Sequence, residues 1–208
     1  EKAALGFYLS GHPFEKIGPL LASLAGHDSS TFATDQSGDT LRVAGMISGL
    51  RITQIRSGQN AGKKMARFHL EDLQGTLAVT CFARAYEKLA QRLVDDAIVF
   101  AVGRVDTKSE EPTMLLEDVV PFQSVLRAEI DGLVIRLGAA RVSDALLERV
   151  GRIAAAHHGQ QKLLFEVRQD QSTFLVRADG RWAIDLTPEL LEALADVSGS
   201  EGLSFTRR

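Results

Sequence analysis

The chain has one cysteine, one tryptophan and two tyrosines among its 208 residues, and only 6% of its residues are aromatic. A single cysteine cannot form an internal disulfide, and it excludes a zinc site built from several cysteines. No apolar run approaches the roughly 20 residues that a membrane-spanning helix needs, and no secretory leader pattern precedes the first helix. We therefore expect a cytoplasmic protein without a membrane partner.

Acidic residues are missing from one stretch of the chain. The net charge of −3 is in itself no signature of nucleic-acid binding. Between Thr40 and Leu70, however, there is no Asp or Glu, and there are six basic residues, which are Arg42, Arg51, Arg56, Lys63, Lys64 and Arg67. A local block of one sign indicates contact with a phosphate backbone. The alternative is a solvated loop without a ligand, and the sequence leaves it open.

Residues 41–122 show five β-rich segments with one helix between the third and the fourth. The first, residues 41–56, contains Gly45 and Gly49, and glycines inside a strand are typical of bulges. The others are 65–72, 76–82, 98–105 and 114–120. The helix carries an apolar stripe that can close one end of a barrel, formed by Tyr86, Leu89, Ala90 and Leu93. This order predicts an OB-fold, a small five-stranded Greek-key barrel that usually binds oligonucleotides.

The period of two residues along these strands predicts which side chains fill the barrel. In the first strand we expect a core of Val43, Ile47, Ile52 and Ile55, with a change of phase at a bulge. In the next two strands the inward residues are Ala66, Phe68, Leu70, Leu77, Val79 and Cys81. The outward residues then include Arg67, His69, Thr76, Thr80 and Phe82.

The segments on either side of the barrel have different patterns. Residues 1–40 predict a helical lead-in, with apolar residues at helical spacing from Ile17 to Leu24, and then a polar linker from His27 to Asp39. From residue 123 we expect a small α+β domain in the order β-α-β-β-β-α, with helix N-caps at Ser143 and Thr187. Asp179-Gly180 predicts a tight hairpin, and residues 199–208 a mobile tail. The predicted domains are 1–40, 41–122 and 123–208.

Catalytic chemistry has little support. The acidic pairs, such as Glu71-Asp72 and Asp95-Asp96, lie at strand ends or in loops, where adjacent side chains point apart and seldom hold one metal ion. His157-His158 at a helix C-terminus is explained by the helix dipole without a metal, and Cys81 is expected to be an inert buried thiol. We therefore predict no catalytic residue, no metal site and no cofactor.

Binding residues follow from the way OB-folds hold single strands. They use strands 2 and 3 together with the loops between strands 1 and 2 and between strands 4 and 5. Phe82 is the best candidate for stacking on a base, although packing beneath the following helix is the favoured alternative. With so few aromatics, binding should be weak, salt-sensitive and tolerant of sequence, no tighter than about micromolar. The predicted DNA-binding residues are Arg51, Arg56, Lys63, Lys64, Arg67, His69, Phe82 and Lys108.

Several motifs resemble one protein family. The opening Glu1-Lys-Ala-Ala-Leu-Gly-Phe-Tyr-Leu-Ser-Gly-His-Pro13 resembles the segment that leads into the OB domain of the alpha subunit of bacterial DNA polymerase III. The pattern Gly45, Lys63-Lys64-Met-Ala, Leu70-Glu-Asp72, Gly75, Phe82, Tyr86 is similar to that domain. His158-Gly159, Trp182-Ala-Ile-Asp and Leu190-Leu191 are similar to the domain that contacts the tau subunit of the clamp loader.

The resemblance implies the C-terminal, non-catalytic part of a DNA-directed DNA polymerase, a nucleotidyltransferase whose active site lies upstream of this stretch. It implies that the barrel binds single-stranded template DNA and that the last domain docks tau. Leu203 and Phe205 faintly resemble a sliding-clamp peptide, but the usual Gln is missing. The alternative is a structural or protein-interaction module whose barrel binds no nucleic acid. An RNA-binding module of the anticodon-binding type would need several exposed aromatics on strands 1–3, which the sequence lacks.

Overall fold

The computed structural model describes residues 13–35, 37–106, 111–199 and 202–208. The opening motif up to His12 and the predicted DNA-binding residue Lys108 therefore lie outside the described residues. The chain forms two compact units. The barrel unit is Leu21–Phe122, and the C-terminal unit is Gln123–Arg208 together with the segment that ends at Leu20. None of the described helices is both long and apolar enough to span a membrane.

The barrel unit is built on a closed five-stranded sheet. Its strands are β1 (Leu41–Gln54), β2 (Lys64–Glu71), β3 (Thr76–Cys81), β4 (Ile98–Val105) and β5 (Thr113–Pro121). Their order in the sheet is β1-β2-β3-β5-β4. Neighbouring strands are antiparallel except β3 and β5, which are parallel. This architecture confirms the predicted OB-like barrel and the mixed fold class.

A bulge divides β1 into two halves. Its register against β2 shifts between Ser48 and Arg51, and Gly49 there has a φ of +62°, which favours glycine. The first half pairs with β4 up to Met46, and the second half pairs only with β2. The bulge prediction is thus confirmed at Gly49. Gly45 has a different role, because the Leu70 side chain packs where a Cβ would lie.

The predicted alternation is confirmed in β2 and β3, where all six inward residues are buried. In β1, Val43 and Ile47 are buried as expected, but the core assignment of Ile52 is wrong, because its side chain is 51% exposed. Ile55 is half-buried. The physical reason is the bulge: beyond it β1 has a single neighbouring strand, so its residues leave the barrel wall.

Two helices precede the sheet in the chain, and the second of them contributes to the barrel core. Helix α1 (Pro13–Ala25) buries the predicted apolar stripe. Helix α2 (Ser29–Thr34) lies inside the segment predicted as a linker, so that prediction is wrong for these residues. Asp28 caps α2 by accepting from the Thr31 backbone N–H at 2.8 Å, and this bond holds the pKa of Asp28 below its usual value. Phe32 of α2 is fully buried in the barrel core.

Helix α3 (Ala83–Leu89) continues as a 3₁₀ turn, Ala90–Arg92. Leu89 and Leu93 are buried in the barrel core, and Tyr86 packs against it. This arrangement confirms that the predicted apolar stripe covers the barrel interior.

The C-terminal unit contains an open four-stranded sheet. Its strands are β6 (Ile130–Gly138), β7 (His158–Gln169), β8 (Ser172–Arg177) and β9 (Leu203–Arg207). Their order in the sheet is β8-β7-β6-β9. The Ser143 and Thr187 hydroxyls accept hydrogen bonds from Leu146 and Leu190, as predicted for helix N-caps. The helices are α4 (Phe122–Glu129), α5 (Asp144–Ala156) and α6 (Pro188–Ser198), with 3₁₀ turns at Ala139–Arg141 and Gly180–Trp182.

The element order of this unit differs from the predicted one in two places. No hairpin forms at Asp179-Gly180. The Asp179 carboxylate instead accepts from the Arg181 N–H at 3.0 Å, which supports the 3₁₀ turn. The predicted mobile tail is wrong for residues 203–207, which form β9 beside β6. The order is therefore β-α-β-β-α-β.

The suggested clamp peptide lies within β9. Leu203 is buried opposite Ile135, and Phe205 pairs with Leu133. A segment that completes a sheet cannot extend into another protein's groove without leaving that sheet.

Candidate nucleic-acid interface

Three strands place four of the predicted DNA-binding residues on one outer surface of the barrel. Arg51 of β1 lies directly opposite Arg67 of β2, and Arg67 lies opposite Thr80 of β3. His69 points the same way two residues along β2, next to the bulge at Gly49. Phe82 follows β3 directly. We call this surface the basic face, formed by Arg51, Arg67, His69 and Phe82.

The pair of arginines at the centre of the basic face is electrostatically unfavourable. Like charges opposite each other on neighbouring strands destabilise a sheet. Both side chains are exposed, and within the described ranges no carboxylate forms a salt bridge with Arg51 or Arg67. An anion that bridges the two guanidinium groups would remove this repulsion, because arginine forms paired hydrogen bonds with phosphate oxygens.

Phe82 presents an apolar ring two residues beyond Thr80, which lies opposite Arg67. It stands at the N-cap position of α3, and its side chain is 52% exposed. The alternative that it packs beneath the helix is therefore not what the fold adopts. An exposed aromatic ring next to arginines is the arrangement on which unpaired bases stack.

The loop between β1 and β2 is an ordered hairpin. Ile55 donates to the Lys63 carbonyl at 2.9 Å, and Gly62 donates to the Ile55 carbonyl at 2.9 Å. Gly58 and Gly62 both have positive φ, at +84° and +85°. The loop exposes Arg56 near the tip of the hairpin, where a phosphate backbone can reach its side chain.

The two lysines of the hairpin differ from the arginines of the basic face. Lys63 forms a salt bridge of 3.2 Å with Glu87 of α3. Lys64 pairs with Gln54 and has the same parity as the buried Ala66, so it points to the face of the hairpin opposite Arg67. The carboxylate of Glu87 was not foreseen, because it lies far along the chain from the block.

Arg42 belongs to the acid-free block in sequence but not in space. Its guanidinium donates to the carbonyl of Leu24 at the end of α1 and lies 5.2 Å from the centroid of the Phe100 ring. Cations at a helix C-terminus are favourable, so this arginine has a structural role. The six basic residues thus separate into Arg42 with α1, the pair on the basic face, and three residues at the hairpin end.

The other candidate chemical groups have ordinary environments. Burial raises the pKa of the Cys81 thiol to about 11, in agreement with an inert thiol. Nδ1 of His157 lies 3.3 Å from the Thr187 hydroxyl. Throughout the described part of the chain, no three His, Cys, Asp or Glu side chains group as metal ligands would.

Comparison with known proteins gives two findings. Residues 41–122 match the family described as the OB-fold nucleic acid binding domain. The chain is also similar to several proteins named DNA polymerase III subunit alpha. That of Thermus aquaticus is 33% identical over 74% of this chain. Those of Saccharopolyspora erythraea and Pseudomonas fluorescens are 32% and 26% identical over 76% and 100% of it. The matched region is 13%, 14% and 17% of their respective lengths, so the chain spans only a small part of these relatives.

Proposed function

Since the chain is homologous to DNA polymerase III alpha subunits and contains an OB-fold nucleic acid binding domain, we propose that its barrel binds single-stranded template DNA. We further propose that its C-terminal unit docks the tau subunit of the clamp loader. Both activities are non-catalytic, and they would serve a polymerase whose active site lies elsewhere in the parent chain.

The observation that carries the DNA-binding proposal is the opposed pair Arg51 and Arg67. The repulsion between them lowers stability, and no carboxylate of the described residues relieves it. A phosphate backbone that crosses strands 1 to 3 would relieve it. Phe82, exposed beside β3, supports a single strand over a duplex, because only unpaired bases offer a face to an aromatic ring.

The hairpin end has a supporting part in this proposal. Arg56 and Lys64 are exposed, whereas Lys63 must exchange Glu87 for phosphate. An exposed ion pair of this kind contributes at most about 1 kcal/mol, so the exchange is feasible. We expect the arginine pair to contribute more to binding than the lysine pair.

The test is fluorescence anisotropy with labelled oligo-dT and with a duplex of equal length, at about 50 and 200 mM salt. The wild-type chain should prefer oligo-dT with micromolar affinity. Arg51→Ala with Arg67→Ala should weaken binding about tenfold or more and lower the log–log salt slope by about 1.4, since each phosphate contact to a single strand contributes about 0.7. Lys63→Ala with Lys64→Ala should have a smaller effect on both quantities.

The matched control is Arg149→Ala with Arg152→Ala, which removes the same charge from exposed positions on α5. It should leave affinity and slope nearly unchanged. Equal losses in both double variants would mean that only net charge matters, and the basic face would have no special role. Absence of binding to either oligonucleotide by the wild type would favour a barrel that is a protein-interaction module.

A further inference from the structure

Strand β8 is an edge strand that nothing in the described part of the chain covers. It lies at the end of the order β8-β7-β6-β9, and all six of its residues are exposed. Three consecutive apolar side chains there, Phe174, Leu175 and Val176, are 52%, 62% and 51% exposed. The opposite edge strand, β9, is largely covered in comparison.

The hydrogen-bond pattern shows which backbone groups of β8 are available. Ala178 donates to the carbonyl of Leu163 at 2.9 Å, and β8 pairs with β7 in antiparallel register without a bulge. Inward and outward backbone groups alternate along an antiparallel strand. Phe174 and Val176 therefore bond to β7, whereas the N–H and C=O groups of Thr173, Leu175 and Arg177 point away from the sheet.

Natural sheets usually protect such an edge. The common devices are proline, an inward charge, a lysine, a bulge or a covering loop, and β8 has neither proline, lysine nor bulge. Its apolar residues alternate between the two faces, with Phe174 and Val176 on one and Leu175 on the other. An added strand would gain backbone hydrogen bonds along one edge and apolar contacts on both faces.

The charges at the end of β8 indicate what kind of strand fits. Arg177 is exposed, and no described residue forms a salt bridge with it. Arg181 is held only loosely by Asp179, at 3.8 Å, with 80% of its side chain exposed. An incoming segment with an apolar centre and a carboxylate near these two arginines would complement both features.

A second copy of the chain fits less well. Pairing of two β8 strands around Leu175 would place Arg177 opposite Thr173 and would provide no carboxylate for either arginine. A contact limited to one six-residue strand also offers much less than the roughly 1,000 Å² that a stable interface buries. A peptide that extends from a larger docked protein does not have this limit.

We propose that β8 is the docking edge of the C-terminal unit, and that it accepts an extended, mainly apolar segment with an acidic end, supplied by the clamp-loader subunit, as an added β-strand. The choice of partner rests on the docking function proposed above. The location rests on the exposed edge, its outward backbone groups and its two arginines.

The test combines amide hydrogen exchange with two variants of one residue. In the 208-residue chain, addition of purified tau subunit should slow exchange of the Thr173, Leu175 and Arg177 amides at least about tenfold. Leu175→Pro removes one outward N–H that β7 does not use, and proline is tolerated on edge strands. It should weaken tau binding at least about tenfold, the value of one hydrogen bond of about 1.4 kcal/mol.

Leu175→Ala is the control, because it removes the side chain but keeps the N–H, and it should weaken binding less than Leu175→Pro. Leu175→Lys is the second blocking variant, should the proline variant fail to fold. Equal binding by Leu175→Lys and wild type, or unchanged β8 amides in a tau complex, would overturn the edge assignment while the docking function stands. Absence of tau binding by the wild type would overturn both. Protection of β8 that depends only on the chain's own concentration would identify a second copy as the occupant and overturn the proposal.

Discussion

The two sheets of this protein differ in how their strand edges are paired and in how their charged side chains are paired. The barrel closes on itself, so that most of its strand edges are paired, yet it places Arg51 directly against Arg67. The open sheet pairs Arg136 with Glu166 across neighbouring strands, yet it leaves β8 uncovered. The barrel therefore pairs most of its backbone groups but leaves two like charges opposed, whereas the open sheet pairs opposite charges but leaves the backbone groups of one edge unpaired.

The difference agrees with the kind of partner proposed for each unit. In the closed barrel the main unmet requirement is electrostatic, and the polyanion proposed above would meet it. An open sheet can offer backbone groups, so its unmet requirement is an unpaired edge, and another strand meets it. Both features reduce the stability of the isolated chain, and the binding proposed for each unit would account for them.

The largest expected effect concerns what fills the closed barrel. Phe32 lies before the first strand but is fully buried in the barrel core. Phe32→Ala should lower the free energy of unfolding of the barrel unit by about 3–5 kcal/mol, measured by urea denaturation. Phe82→Ala in the same unit and Phe174→Ala on the open edge should each change it by about 0.5 kcal/mol or less. A small effect of Phe32→Ala would mean that the barrel is complete without α2.

A smaller difference in stability is expected between two glycine-to-alanine substitutions, one in the closed barrel and one in the open sheet. At Gly103 in β4, an added Cβ would collide with the Leu115 carbonyl and lie 2.8 Å from Cγ of Met114. At Gly138, the last residue of β6, an added Cβ meets no atom within 4 Å. Gly103→Ala should cost about 1–3 kcal/mol of unfolding free energy, and Gly138→Ala should be nearly neutral. Equal losses of unfolding free energy for the two variants, measured by thermal or urea unfolding, would show that the barrel can shift to accommodate the added methyl group at Gly103.

The smallest effect has opposite signs in the two sheets. Arg51→Gln should stabilise the barrel unit by roughly 0.2–1 kcal/mol, because it removes the repulsion with Arg67. Glu166→Gln should destabilise the open sheet by a similar amount, since it breaks contacts with Arg136 and Arg168. Both changes should shrink as salt is raised to about 1 M, where screening is strong. Denaturation at low and high salt measures them, and a gain from Arg51→Gln that salt does not alter would point to strand propensity instead of charge.

The sequence predicted the barrel well because its signals are local. Alternation in β2 and β3 and the apolar stripe of α3 depend on neighbouring residues alone, and both were confirmed, as were the two helix caps of the C-terminal unit. Ile52 was assigned to the core wrongly because its environment depends on which strands flank β1 beyond the bulge. Helix α2 was missed although Asp28 and Thr31 form a capping box, since the polar composition of the segment favoured a linker.

The candidate site could be predicted only in part. The outward direction of Arg67 and His69 follows from the period of two, whereas the opposition of Arg51 to Arg67 depends on the register across the bulge. The hydrogen bond from Arg42 to α1 and the salt bridge between Lys63 and Glu87 are tertiary contacts, which a local sequence pattern does not predict. The uncovered edge at β8 depends on the order of strands in the sheet, which required knowing that residues 203–207 add a strand beside β6.

The place of β9 also affects how the C-terminal sheet assembles on the ribosome. The central strand β6 ends at Gly138, and its neighbour β9 begins at Leu203. At about 5–20 residues per second, synthesis of the roughly 65 residues between them takes several seconds. During that time the side of β6 that β9 will occupy has exposed apolar side chains and unpaired backbone N–H and C=O groups. A chaperone can bind β6 in this period, and β6 can also pair with a wrong strand.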